Sequence, residues 1–337
     1  MKCLIRFVDP VFLYFCKNTY RYFFDLSGRA QRQKTMLDQI QKIVKSSGIN
    51  YQFSILIPSW NNQEYLRLCI DSIRRYSQFS HQIIVHVNEG KDGTTEWLET
   101  QPDIDYTWSK ENIGVCYSLN IARSLAKADY ICYLNDDMFV LPDWDKYLVE
   151  EIAKIGHRSF LLSGTAIEPF DTGNPCAIVG DYGNEPARLD RDRLLQEFRM
   201  KEIADWAGST WPPIVMHRDF WDLVGGLSIE FSPGMYSDPD LSMKLWLAGV
   251  RYFKGLGKSR VYHFGSKSTK RKRMNTGRDI FLMKWGISSS IFTHKYLRRG
   301  KPFDGALPAP QITWADHWKS WLKRLLYLIK NSRSHSW

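Results

Sequence analysis

Two acidic clusters and one histidine carry the residue types that could perform group transfer. The first cluster is Asn135-Asp136-Asp137, three short polar side chains inside the apolar run from Tyr130 to Val140. Adjacent carboxylates at the end of a buried strand repel each other unless a cation or ligand hydroxyls lie between them, which suits a divalent metal with phosphate. A solvated acidic turn is the plainer account of the same triplet. The second cluster, Ser237-Asp238-Pro239-Asp240, stands directly ahead of the helical apolar positions Met243, Leu245, Trp246 and Leu247. Either aspartate can cap that helix or face a substrate. His263 lies in the strand-like stretch Val261 to Ser266. A histidine there can simply pack or face solvent, but beside an Asp-rich loop its neutral imidazole can also serve as a metal ligand.

Hydrophobic periodicity supplies the elements that would position these groups. Phe53 to Pro58 reads as a strand, followed by the polar turn Ser59-Trp60-Asn61-Asn62 and a helix carrying Tyr65, Leu66, Cys69, Ile70 and Ile73. Gln82 to Val87 repeats the pattern and ends in the glycine-punctuated loop Asn88 to Thr94. Tyr106 to Trp108, the loop Glu111-Asn112-Ile113-Gly114 and a helix with Leu119, Ile121 and Leu125 repeat it again. Strands alternating with helices imply a parallel sheet whose loops gather at one edge, where a nucleotide fits. Farther on, Trp144 to Ile155 reads as a helix, Phe160 to Gly164 as a strand and 191 to 206 as a charged helix. Trp211 to Met216 reads as a strand and Phe220 to Gly226 as a helix turning at two glycines. Residues 168 to 190 read as a long irregular loop, expected to contact an acceptor.

The flanks are less informative. A chain of 337 residues that is 44% hydrophobic buries a large core, and its net charge of +10 favours anionic partners. Nucleic acid is a poor fit, since there is no recognised module and the acidic loops would repel a phosphate backbone. Cys3, Cys16, Cys69, Cys116, Cys132 and Cys176 are scattered without a C-x-x-C pair, which predicts a reducing compartment and no structural zinc. Residues 1 to 25 are aromatic but broken by Arg6, Asp9, Pro10, Lys17 and Arg21, so neither a signal peptide nor a membrane span is expected. Residues 29 to 47 have helical spacing and read as a connector stopping at Gly48. The basic run Lys267 to Arg273 could close over a diphosphate. Trp314, Trp318, Trp321, Leu322, Leu325, Leu328 and Ile329 share one helical face, with Lys319, Lys323, Arg324 and Lys330 around it. That face suits either an anionic membrane or the protein's own surface.

Taken in order, FSILIPSWNN, VNEGKDGT, ENIGVCYSLNIA, YICYLNDDMF, VGGLSIEF, SDPDLSMKLWLAGV and VYHFGSKS resemble the family 2 glycosyltransferases of the GT-A fold, from residue 53 to about 268. The resemblance implies an α/β, Rossmann-like nucleotide-diphospho-sugar transferase fold with a mixed, mostly parallel sheet and helical extensions at both ends. The corresponding boundaries are a helical extension over 1–50 and a catalytic domain over 51–268, with a nucleotide half at 51–140 and an acceptor half at 141–268. A basic loop and amphipathic helices occupy 269–337. It further implies an inverting hexosyl- or N-acetylhexosaminyltransferase using Mn2+ or Mg2+ and a nucleotide-sugar donor, UDP-sugar being favoured. The acceptor would be a glycan or lipid-linked molecule at the cytoplasmic side of a membrane. Carried over by position, Pro58, Ser59, Asn61, Asn88, Asn112 and Gly114 would line the donor site, Asn135 and Asp136 the ribose, and Asp137 with His263 the metal. Asp238 would be the base, with Asp240 and Trp211 in secondary or acceptor roles. Asn88 and Asn135 stand where the family commonly has aspartate, so the resemblance fixes the donor nucleotide less firmly than the fold. Ser237 stands where the family usually has an acid, which leaves Asp238 the better candidate for the base beside Asp240. A protein of the same fold that binds nucleotide-sugar or glycan without catalysis is the alternative.

Overall fold

The chain enters the sheet earlier than periodicity predicts. The computed structural model describes residues 40–48, 50–265 and 276–332. The expectations for residues 1–39 and for Lys267 to Arg273 lie outside them. Within the described part of the expected helical connector, Gln41–Ile43 form strand β1 instead. It pairs antiparallel with Ile104–Ser109, register Ile43 to Tyr106. That open strand edge offers unpaired backbone groups, and an edge of this kind recruits a neighbouring segment over a weak helical pattern. Buried Asp105 fixes the join by accepting hydrogen bonds from Lys45 N at 2.7 Å, Ser46 N at 2.8 Å and Ser46 Oγ at 2.5 Å.

The remaining elements follow in chain order. They are β2 (Phe53–Trp60), α1 (Gln63–Tyr76), β3 (Gln82–Asn88), α2 (Thr94–Glu99), β4 (Ile104–Ser109), α3 (Gly114–Arg123), β5 (Tyr130–Tyr133) and β6 (Met138–Val140). Next come α4 (Trp144–Ile155), β7 (Phe160–Glu168), β8 (Ala177–Val179), α5 (Arg191–Glu197), β9 (Trp206–Ala207) and β10 (Ile214–His217). The last are α6 (Arg218–Leu223), α7 (Ser237–Leu247), β11 (Tyr252–His263), α8 (Gly277–Trp285) and α9 (Trp314–Ser332). The strands form one mixed sheet in the order β1-β4-β3-β2-β5-β10-β7-β11-β6, with β8 beside β7 and β9 beside β11. Strands β2, β3, β4, β5, β7, β8 and β11 run one way, and β1, β6, β9 and β10 run against them.

Several expected boundaries move. Strand β7 continues past Gly164 to Glu168, β11 begins at Tyr252 rather than Val261, and the charged helix stops at Glu197. The expected loop 168 to 190 contains β8 and a 3-10 turn, Pro186–Arg188. Trp211 lies ahead of β10 rather than within it.

The sheet is covered on both faces, as a parallel sheet requires. One face packs Leu66, Ile70 and Ile73 of α1 with Trp144, Leu148 and Ile152 of α4. The other packs Cys116 and Leu119 of α3 with Leu241, Leu245 and Trp246 of α7 and Phe281 of α8. Cys69, Cys116, Cys132 and Cys176 are free and buried, serving as small core residues. Because the co-directional strands end together, Asn88, Tyr133, Glu168 and His263 reach the same edge of the sheet, the usual place for a ligand in an α/β fold.

Candidate active site

The first acidic cluster sits where the chain leaves β5 and crosses to the far edge of the sheet. Ser59 Oγ at the end of β2 donates to Asp136 Oδ2 at 2.8 Å, tying the end of β2 to the cluster. Strand β6 then pairs antiparallel with β11 in a register that sets Met138 opposite His263. This register brings His263 Nε2 to 3.5 Å from Asp137 Oδ1, while Phe264 N donates to Asp137 O at 3.1 Å. On the other side of the ring, His263 Nδ1 lies 3.0 Å from Glu168 Oε1, and Thr172 Oγ1 donates to Glu168 Oε2 at 2.7 Å. Burial alone would lower the pKa of His263, but Asp137 and Glu168 raise it to about 10.

Among the described residues no group of three or more His, Cys, Asp or Glu side chains is arranged to hold an ion. A smaller donor set does fit one. His263 Nε2 is shielded from water and has no hydrogen-bond partner, and it lies beside the Asp137 carboxylate. One nitrogen and one oxygen suit a Mn2+ or Mg2+ ion whose remaining positions belong to phosphate oxygens and water. Glu168 stands where a carboxylate orients a metal-binding histidine through its second nitrogen.

The loops after β2, β3 and β4 are laced together. Asn88 Oδ1 accepts from Ile113 N at 2.9 Å, and its amide donates to Ser118 Oγ at 3.0 Å and Ser59 O at 3.3 Å. Asn88 thus joins β2, β3 and the start of α3. Pro58 is buried within β2 opposite His86. Asn61, at φ +45°, bonds to Glu89 and Lys91. Asn112 Oδ1 accepts from Gly114 N at 2.9 Å. Gly114 has φ +79°, and a Cβ there would meet Pro233 Cα at 2.8 Å, so only glycine lets this loop close on the segment ahead of α7. Val115 N donates to Pro233 O at 2.8 Å across that contact. Asn135 is half-buried, its carbonyl accepting from Met138 N at 3.3 Å.

Asp238 occupies the first turn of α7 rather than its cap. Its Oδ1 is shielded from water and makes no hydrogen bond. Burial pushes its pKa up to about 7, partly offset by a hydrogen bond from Ser237. Both acidic clusters act on one group, the buried Tyr133 phenol at the end of β5. Its pKa is raised first by burial and then by the charges of Asp238, Asp137 and Asp136. Asp240 turns the other way: Ser228 Oγ donates to it at 2.6 Å, Trp285 Nε1 at 2.9 Å, and Lys284 Nζ lies at 2.8 Å. It anchors α8 to α7. Trp211 is half-buried, with the Arg299 guanidinium 4.9 Å from its ring centre. Periodicity missed Glu168 and Tyr133. The signal for both was a strand end at the crevice edge.

Residues 54–193 match the model of Glycosyl transferase family 2. The chain is 25% identical over 233 residues to the hyaluronan synthase of Pasteurella multocida, covering 65% of this chain and 21% of that protein. It is 25% identical over 232 residues to the chondroitin synthase of Pasteurella multocida strain Pm70, covering 64% of this chain and 21% of that protein. The chain therefore spans about a fifth of the length of these curated relatives. A crystal structure of S. aureus TarS 1-349 superposes with a TM-score of 0.50 at 11% identity, covering 84% of this chain and 73% of that one, a likeness of fold. Over residues 54–193 the chain is thus similar to glycosyl transferase family 2, and its fold is like that of TarS 1-349.

Proposed function

We propose that the protein is an inverting, divalent-metal-dependent glycosyltransferase that moves a sugar from a UDP-sugar to a hydroxyl of a glycan or lipid-linked acceptor at the cytoplasmic face of a membrane. The observation that carries this reading is Asp238, a carboxylate with a shielded, unpaired Oδ1 poised near neutral pH, whose charge acts together with that of Asp137 on the Tyr133 phenol. An acceptor hydroxyl at Asp238 gives up its proton as its oxygen attacks the anomeric carbon from the face opposite the diphosphate. The bond to the diphosphate breaks in the same displacement, inverting the centre, and its electrons leave with the diphosphate. A bound cation would supply Lewis-acid neutralisation of that charge. Asp137 and His263 would hold it, and Ser59 with Asp136 would fix the ribose side.

UDP-sugar is favoured because a TarS structure of the same fold was solved in complex with UDP-GlcNAc. The polysaccharide-synthase relatives support a glycan acceptor. Free buried cysteines suit a reducing compartment. Unlike buried Asp105 and Asp240, which are fully hydrogen-bonded, Asp238 leaves a shielded oxygen unpaired, which favours the catalytic reading over a binding protein of the same fold.

Two measurements bear on this reading. A base that titrates at about 7 makes kcat/KM climb roughly tenfold per pH unit on the acid side and level above neutrality. A profile flat from weakly acid to weakly alkaline pH would remove Asp238 from the role. Glu168→Gln keeps an acceptor for His263 Nδ1 but removes the orienting charge, so Mn2+ affinity in the presence of UDP falls about 10–100-fold. Calorimetric titration of Mn2+ reads this directly, and unchanged affinity would dissociate Glu168 from the metal.

A further inference from the structure

Helix α9 packs on the protein with its polar side and turns its apolar side outward, the reverse of an ordinary surface helix. Its start is fixed by a capping box: Thr313 N donates to Asp316 Oδ2 at 2.9 Å, and Asp316 N donates to Thr313 Oγ1 at 3.3 Å. Asp316 also pairs with Lys295. Ser320 is fully covered, Arg324 and Tyr327 are half-buried, and the Arg324 guanidinium reaches the end of α8 near Gly286. The opposite side carries Trp314, Trp318, Trp321, Leu322, Leu326 and Ile329, all exposed, with Trp314 at 77%. The three tryptophans stack in a row, centroids 5.6 and 5.0 Å apart. Exposed Lys319 and Lys323 line one edge of the stripe, and Asp316 is the only acidic residue on the helix. No helix among the described residues is long and apolar enough to cross a membrane.

We infer that α9 docks the protein on an anionic lipid bilayer, its tryptophan–leucine stripe lying in the headgroup layer and Lys319 and Lys323 meeting acidic lipid. This deepens the proposed function and rests on it for the membrane-side acceptor. Indole rings favour the boundary between water and hydrocarbon, where the apolar body is buried and the N–H stays wet. Basic residues beside such a stripe select acidic lipid. Asp240 connects the docked element to the active site, since it bonds to Trp285 and Lys284 of α8, against which α9 packs. The docked helix would therefore hold α7 and Asp238 at a fixed orientation to the bilayer.

The test is co-sedimentation of the full chain with vesicles of phosphatidylcholine alone and with about a third phosphatidylserine, alongside UDP-GlcNAc binding in solution. Wild-type protein is expected to bind the acidic vesicles at least tenfold more tightly than the neutral ones. Trp314→Ser/Trp318→Ser/Trp321→Ser should lose vesicle binding, and Lys319→Glu/Lys323→Glu should lower it about tenfold or more, both with unchanged thermal melting and donor binding. Equal binding to both vesicle types, retention by the triple variant, or a lipid-free dimer that the triple variant dissociates would each overturn the inference. Vesicle binding restored only by deleting residues 1–39 would overturn it as well, assigning the stripe to that segment. Donor binding without vesicle binding contradicts the docking alone, whereas vesicle binding without donor binding contradicts the transferase reading.

Discussion

Asp238→Asn is expected to lower turnover about 10²–10⁴-fold, the usual worth of a positioned general base, with donor affinity unchanged. The substitution keeps the volume and removes only the proton-accepting charge. It should also stabilise the protein. The native carboxyl keeps its proton up to about 7, whereas the unfolded one releases it near the ordinary value of 3.8. Folded Asp238 therefore binds more protons than unfolded Asp238 across that interval, so stability is lost as pH rises from about 4 to about 7. At weakly alkaline pH the buried charge costs on the order of 2–4 kcal/mol, which Asn should recover in urea unfolding but not at pH values below about 4. A variant that is less active and more stable separates a catalytic carboxylate from a structural one. Near-normal turnover in a folded Asp238→Asn protein would end the assignment.

Asp137→Ala is expected to act through the donor. The Asp137 carboxylate lies 3.5 Å from His263 Nε2, and removing it takes away the oxygen half of the proposed cation site. Since such a cation stabilises the departing diphosphate by several kcal/mol, turnover should fall about 10²–10⁴-fold. Unlike Asp238→Asn, the loss should be accompanied by weakened metal-dependent nucleotide binding. Because the His263 ring still bonds to Glu168, the fold around β11 should survive.

The half of the sheet formed by β2 to β5 was legible in the sequence because its strands are continuous apolar runs separated by polar, glycine-marked loops. Helix α4 begins and ends where its periodicity places it, Trp144 to Ile155. Glu168 was hidden by Gly164, which reads as a strand terminator. In the structure Gly164 is mid-strand because a Cβ would come within 2.9 Å of Pro213 Cγ and 3.1 Å of Ser259 Oγ, a close approach rather than a turn. The run Tyr130 to Val140 reads as a buried strand ending at the Asn135-Asp136-Asp137 turn, yet it supplies two strands that pair with different partners, β5 with β2 and β6 with β11. Only long-range register could reveal that the crossing sets Asp137 beside His263. Asp240 was ambiguous for the same reason, since its partners Ser228 and Trp285 lie far away in sequence. The stripe on α9 was visible from spacing alone. Which side faces the protein was not, because periodicity defines faces but not neighbours.

The most direct test of a metal-assisted transferase site is calorimetric titration of UDP-GlcNAc into wild-type, Asp137→Ala and Asp238→Asn protein in the presence and absence of Mn2+. The account predicts Mn2+-dependent binding in wild type, its loss in Asp137→Ala, and wild-type affinity in Asp238→Asn. Binding indifferent to both Mn2+ and Asp137 would contradict it.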